Sequence, residues 1–316
     1  MNKSYQKTCK VCGSNFIKKD GKMRRKQRYK CNKCGHVFQN KSREKKQKLD
    51  LIEELWNKYC FKRQTYQDLA DEYKISLRKV QYLLDEYEFI PPQITPSSIV
   101  LIMDTTYFWD IGVMVFKDSK SKKILHCILV INETNDVYKK WVKQLQQQWW
   151  EIEAVVCDWK RGLLSGFSRI WIPTQMCHFH QTAILTRYIT KNPILEANKD
   201  LKWIWELLPR TDKETFQYYL REFYEKHEWF LKERRMNSKW KWEYVHKKTR
   251  SAYFSLTRNL QYLFTFYDYY WVIDIPNTTN ALEWVFWHLK GKVSLHRWLK
   301  KERKIKLFLS LLHWKN

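Results

Sequence analysis

Ile99-Val100-Leu101-Ile102-Met103-Asp104 is an apolar run that ends on a carboxylate. The run reads as an apolar strand with Asp104 at its C-terminal end. Reading outward, Gly112-Val-Met-Val-Phe116 and Ile124-Leu-His-Cys-Ile-Leu-Val-Ile131 predict two more strands, parted by the polar turn Lys117–Lys123. A helix rich in Trp, Lys and Gln follows around Val137–Trp150. Ile152-Glu-Ala-Val-Val-Cys157 then predicts a fourth strand, which also ends on a carboxylate, Asp158. From about Gln181 to Tyr270 the pattern turns helical, with dense Trp and Tyr. Asn277-Thr-Thr-Asn-Ala-Leu-Glu283 opens a last helix with Glu283 in its first turn. Side chains at strand ends of an α/β sheet project into the crevice beyond it, where ligands and catalytic groups collect. Three carboxylates gathered there repel one another, and a divalent cation relieves that repulsion.

Ahead of this sheet, Pro91-Pro92-Gln-Ile-Thr-Pro96-Ser-Ser is a linker by composition. Before the linker stand two CxxC pairs, Cys9-Lys-Val-Cys12 and Cys31-Asn-Lys-Cys34, 18 residues apart and each followed by glycine. That spacing lets two tight turns present four thiolates to one structural Zn²⁺. So short a segment buries too little apolar surface to fold alone, so metal binding supplies its folding free energy. After a charged bridge, Lys41–Lys48, a helical pattern starts at Leu51, with Ile52, Leu55, Trp56 and Tyr59 on one face. Thr65 and Asp68 form a capping-box start for a helix burying Leu69, Ala70 and Tyr73. Ile75-Ser76 turns, Ser76 caps the next helix, and Val80, Leu83 and Leu84 face inward. Two short helices so joined read as a helix-turn-helix, whose second helix offers Leu77, Arg78, Lys79, Gln81 and Tyr82 outward.

The 316 residues carry 59 Lys+Arg against 33 Asp+Glu, a formal net charge of +26. An excess of that size points to a polyanionic partner, nucleic acid before membrane. Residues 1–49 alone hold 17 Lys/Arg against Asp20 and Glu44. No run approaches the ~20 apolar residues that span a bilayer, and the N-terminus lacks the apolar core of a signal peptide. Cys60, Cys127, Cys157 and Cys177 are scattered, which suits a reducing cytoplasm.

Three strands, a helix, a strand bearing Asp158, a helical insertion and a helix bearing Glu283 resemble the ribonuclease-H-like core of DDE transposases. The details resemble the Mutator-like family, which includes many bacterial insertion-sequence transposases. Three segments carry the likeness: Met103-Asp104-Thr-Thr-Tyr107; Cys157-Asp158-Trp-Lys160-Arg-Gly162-Leu163 with Pro173-Thr-Gln-Met-Cys177-His-Phe-His180; and Thr279-Asn280-Ala-Leu-Glu283 with Lys290 beyond it. The middle one joins the second aspartate to the family's CxxH signature.

The resemblance implies an α/β fold with a ribonuclease-H-like catalytic core and an all-α insertion, behind a zinc ribbon and a small helix-turn-helix domain. The expected layout is ribbon 1–42, helix-turn-helix 43–92, core 97–180, insertion 181–274 and the core's C-terminal helical part 275–316. It makes Asp104, Asp158 and Glu283 the catalytic triad, holding two Mg²⁺ (or Mn²⁺) ions. Double-stranded DNA, as terminal repeats and as target, would be the partner, with a homodimer or larger assembly synapsing two ends. Arg78, Lys79, Gln81 and Tyr82 would contact DNA.

Rival readings are a structure-specific nuclease or resolvase on the same fold and a decayed DNA-binding regulator. Cys177 and His180, one helical turn apart, have three readings: packing beside the active site, contact with the scissile strand, or sharing a metal. Of Trp203, Trp205, Trp229, Trp240 and Trp242 in the insertion, most are expected in the core, with one or two left to stack on an unpaired base.

Overall fold

The computed structural model describes residues 8–313 apart from 10, 24–25, 40–42, 63, 109–110, 159, 161 and 295–298. Lys41 and Ser42 of the charged bridge, and Trp159 and Arg161 of the second motif, therefore lie outside the described residues. The chain divides into two compact units, residues 1–87 and 88–316.

The first unit opens with a three-stranded antiparallel sheet, β1 (Ile17–Met23), β2 (Lys26–Cys31) and β3 (Val37–Gln39), in that order. Three helices follow: α1 (Arg43–Phe61), α2 (Tyr66–Tyr73) and α3 (Leu77–Asp85). Residues 43–48 are not a bridge but the first turns of α1. Charged side chains are good helix formers, so the helix runs ahead of its apolar stripe. Ile52, Leu55, Trp56 and Tyr59 are buried on one face. The Thr65 side chain accepts from the Asp68 N–H and Asp68 accepts from the Thr65 N–H, closing the expected capping box. Lys74 ends α2 in the left-handed region and Ser76 caps α3. Val80, Leu83 and Leu84 are buried; Leu77, Arg78, Lys79, Gln81 and Tyr82 are exposed.

The second unit is mixed α/β. Its strands are β4 (Ser98–Phe108), β5 (Ile111–Asp118), β6 (Ile124–Val130), then after α4 (Asn135–Gln147) β7 (Glu151–Cys157), and after α5 (Leu164–Ser168) β8 (Thr174–Met176). They form one five-stranded sheet in the order β6-β5-β4-β7-β8. β4 pairs antiparallel with β5 and parallel with β7, and β7 pairs parallel with β8. Ile99–Met103 are almost fully buried, as a central strand requires. Within this sheet the sequence reading is corrected in two places. β4 does not end at Asp104: hydrogen bonding to β5 carries it on to Phe108, with Asp104 opposite Val115. The three-residue β8 is a fifth strand, too short for a periodic signal.

Beyond β8 come α6 (His178–Ile189), α7 (Glu196–Glu206), α8 (Lys213–Lys232), a hairpin of β9 (Arg234–Met236) and β10 (Trp242–Tyr244), α9 (Lys247–Leu263), α10 (Thr265–Asp268), α11 (Asn280–Val293) and α12 (Lys301–His313). The insertion 181–274 is therefore not all-α: its three-residue strands are too short for a periodic signal. Buried polar groups join the end of α9 to the sheet edge. Gln175 Nε2 donates to the Leu263 carbonyl at 3.1 Å, and its Oε1 accepts from the Phe266 N–H at 2.9 Å. Thr265 Oγ1 donates to the Thr174 carbonyl at 2.7 Å, and Asn259 Nδ2 to Gln181 Oε1 at 2.9 Å. Leaving any of these groups unpaired costs about 1–3 kcal/mol, so the network fixes how the helices seat. Among the described residues no helix is long and apolar enough to cross a membrane.

Candidate active site and cysteine cluster

Register places the two aspartates side by side. Ile102 pairs with Val156 at the end of the parallel β4–β7 ladder, and Asp104 and Asp158 each stand two residues further along. Two residues is one side-chain repeat within β4, while Asp158 is the first residue past the end of β7. Adjacent strands lie about 5 Å apart, and the Asp158 charge adds to the rise of the Asp104 carboxyl.

α11 brings the third carboxylate. Asp104, Asp158 and Glu283 line one cleft of about 360 Å³ with Thr105, Thr106, Glu133, His180, Phe286, Trp287 and Lys290. Glu283, Trp287 and Lys290 follow the i, i+4, i+7 repeat that puts them on one helix face.

Asp104 is buried and accepts a hydrogen bond from the Thr105 N–H at 2.8 Å. Burial pushes its carboxyl up to about 7, with Asp158 and Glu133 adding to the rise and His180 opposing it. Among the described residues no ion pair reaches it. His180 Nδ1 lies 3.7 Å from Asp158 Oδ1. Burial works against its charged form, but the Cys177 thiol and then the Asp158 carboxylate outweigh it and hold His180 up, at about 9.

Cys177 does not line the cleft. It sits beneath, continuing β8: its N–H donates to the Cys157 carbonyl at 2.9 Å. Its sulfur accepts from the Thr279 N–H at 3.2 Å and lies 3.3 Å from Thr279 Oγ1. The next N–H, of His178, donates to the Asn277 carbonyl at 2.9 Å. Thr279 is the residue from which α11 starts. The CxxH signature therefore divides its work: Cys177 anchors the helix that carries Glu283, and His180 faces Asp158. The two side chains also meet each other, each shifting the other's proton affinity. His178 is buried, with Nε2 on the Leu263 carbonyl at 2.7 Å; burial brings it down to about 4, so it is a neutral structural residue.

Glu133, in the cleft wall, has no counterpart in the sequence reading. Lys160 Nζ lies 2.7 Å from Glu133 Oε2, and Tyr138 Oη donates to Glu133 Oε1 at 2.7 Å while meeting Thr105 Oγ1 at 2.8 Å. A lone acid after a strand gives no periodic signal. Trp287 was legible in principle, one helical turn beyond Glu283.

The four ribbon cysteines converge in the first unit. Each CxxC turn is closed by the N–H of the following glycine, Gly13 to the Cys9 carbonyl and Gly35 to the Cys31 carbonyl, both at 2.9 Å. Both glycines hold the left-handed φ the turn needs, 67° and 72°. Cys9 and Cys34 sulfurs are 3.5 Å apart, Cys12 and Cys31 3.6 Å. A tetrahedron with ~2.3 Å metal–sulfur bonds has edges of about 3.8 Å. Among the described residues this is the one group of three or more His, Cys, Asp or Glu with all donor atoms within 4.8 Å, and it could hold a metal ion. Backbone N–H groups of Cys34 and Lys33 bring Cys31 down to about 6 despite burial. For Cys34 the His36 N–H favours the thiolate, but Cys12, burial and the other thiols outweigh it and push the group up to about 12. A bound cation removes that conflict.

Four of the five insertion tryptophans are not core: Trp205 is buried, whereas Trp203, Trp229, Trp240 and Trp242 are exposed. Leu, Ile and Phe neighbours such as Leu201, Ile204, Phe216 and Leu220 fill the core of the insertion instead.

Compared with known proteins, the chain matches no family model and no curated sequence.

Proposed function

We propose that the chain is a DDE transposase of an insertion sequence, with a ribonuclease-H-like catalytic unit behind a zinc ribbon and a helix-turn-helix. The observation that carries this reading is the cleft: Asp104 of β4 and Asp158, one residue past the end of the neighbouring β7, line it together with Glu283 of α11. That carboxylate-lined cleft on so basic a chain favours metal-dependent chemistry on a phosphate backbone.

The donors are all hard oxygens, and a bound cation would favour the charged form of Asp104 that burial opposes. Mg²⁺ or Mn²⁺, when bound, supplies Lewis acidity to the attacking and leaving oxygens of a phosphodiester. Asp104, Asp158 and Glu283 hold those ions. His180 keeps Asp158 oriented, and exposed Lys290 offers a positive charge to a phosphate at the cleft mouth. Cys9, Cys12, Cys31 and Cys34 hold one structural Zn²⁺, which is what folds the ribbon. Ribbon and helix-turn-helix bind the terminal repeats, with Arg78, Lys79, Gln81 and Tyr82 toward the duplex, and a dimer or larger assembly pairs the two ends.

The test is transposition in bacteria. A marker bounded by the DNA that flanks this gene, supplied with the protein, should move to a target plasmid and be bracketed by a short target duplication. Cutting without any strand transfer to target would replace the transposase reading with a nuclease.

A further inference from the structure

The tip of the β9–β10 hairpin stands out in water. Trp240 at its tip is 84% exposed and Trp242 66% exposed. Trp240 also holds φ 57°, a left-handed conformation that glycine or asparagine adopts with less strain. The turn is nevertheless tightly fixed. Asn237 Oδ1 accepts from the N–H groups of Lys239 and Lys241 at 2.9 and 3.0 Å. The Asn237 N–H donates to the Lys241 carbonyl, and the Trp240 N–H to the Asn237 carbonyl, both at 3.0 Å. The base is braced as well: the Tyr244 ring carries the Arg234 guanidinium at 4.5 Å and that of Arg250 at 4.0 Å. A rigid turn thus holds a bulky indole out in water, and folding gains almost nothing from it. Lys239 and Lys241 flank it, and residues 232–250 carry eight Lys/Arg against Glu233 and Glu243.

We infer that this hairpin is a second DNA contact, in which Trp240 stacks on an unpaired nucleobase while Lys239 and Lys241 meet the adjoining phosphates. The charge selects a polyanion, and the indole selects its ligand by geometry. A base inside a paired stack has both π-faces covered, whereas an unpaired base offers one to an aromatic ring. The inference rests on the proposed DNA function and adds to it a preference for frayed or single-stranded segments.

The probes are a short blunt duplex and the same duplex with a single-stranded 3′ extension carrying 2-aminopurine, each bound by the full chain. Wild type should prefer the extended probe and change the fluorescence of its 2-aminopurine. Trp240→Ala should weaken binding to that probe by roughly 5- to 150-fold and leave the blunt duplex unaffected. Trp240→Phe should retain most of the preference, and Trp240→Gly, which relaxes the backbone, should lose it as Ala does. Trp229→Ala, an equally exposed tryptophan on α8, should change nothing. If wild type binds the blunt duplex without preferring the extension, or if Trp240→Ala matches wild type, the hairpin inference falls and the DNA reading stands. If wild type binds neither probe at low salt, both fall. If Trp240→Ala alters only the sedimentation of the protein, the hairpin is a protein–protein contact and the inference is wrong.

Discussion

Cys177 and Thr279, 102 residues apart, are joined at the cysteine sulfur, which takes the Thr279 N–H at 3.2 Å and lies 3.3 Å from its hydroxyl. Through this contact the edge of the sheet sets where α11 begins, and with it the position of Glu283. Removing the sulfur leaves a buried N–H unpaired, a cost of about 1–3 kcal/mol. Cys177→Ala should therefore lower the thermal midpoint and depress strand cleavage more than DNA binding. Cys177→Ser, which keeps an acceptor, should lose less of both. Equal behaviour of Ala and wild type in melting and cleavage would remove the anchoring role.

The cysteine cluster should carry about one zinc per chain by elemental analysis. Cys9→Ser with Cys34→Ser should lose it, and with it the folding of residues 8–39, because the metal supplies what so small a core lacks. Undiminished zinc in that double variant would place the metal elsewhere.

Without divalent cations, stability should fall as pH rises. Asp104 is raised to about 7 from its ordinary 3.8, so its folded form binds a proton that the unfolded chain has released. That stabilising difference is lost as pH climbs from about 4 through about 7. His180, raised from 6.5 to about 9, contributes stability that is full below 6.5 and lost as pH rises through about 9. Both signs agree. Thermal midpoints in chelator should decline over this window, and Asp104→Asn should flatten the part below about 7. Metal must displace the Asp104 proton, so Mn²⁺ affinity should increase with pH over the same range. A pH-independent affinity would contradict the placement of Asp104 among the ligands.

On the helix-turn-helix, Thr65→Ala should cost about 1 kcal/mol through the lost capping box, read as a shift in denaturant midpoint. Arg78→Ala and Lys79→Ala should leave that midpoint unchanged. Each should weaken duplex binding and reduce the salt slope by about 1 if it meets a phosphate. Unaltered affinity in both would move the interface to another face.

Much of this was legible because local rules sufficed. The capping pair Thr65/Asp68, the stripe Val80-Leu83-Leu84 and the two CxxC turns are set by neighbours within a few residues. The apolar runs ending at Asp104 and Asp158 gave away the central strands. The gathering of the cleft was not local. Glu133 is reached by Lys160, 27 residues on, Tyr138 by Thr105, 33 residues back, and Cys177 acts on a turn 102 residues away, contacts that no local window of sequence contains. β8 is a strand only because β7 offers it a partner. The tryptophans misled because burial was inferred from residue type, whereas Trp229, Trp240 and Trp242 stand on faces and turns that nothing covers.

The central claim is that Asp104, Asp158 and Glu283 act together on DNA through bound metal. The measurement is cleavage of a labelled duplex carrying the DNA that flanks this gene, in Mg²⁺, Mn²⁺ or Ca²⁺, with a gel-shift control. Wild type should cut with Mg²⁺ and Mn²⁺ and assemble with little cutting in Ca²⁺. Asp104→Asn, Asp158→Asn and Glu283→Gln should each bind as wild type does and fail to cut. Near-normal cutting by any one of the three, or loss of binding together with cutting, would contradict the account.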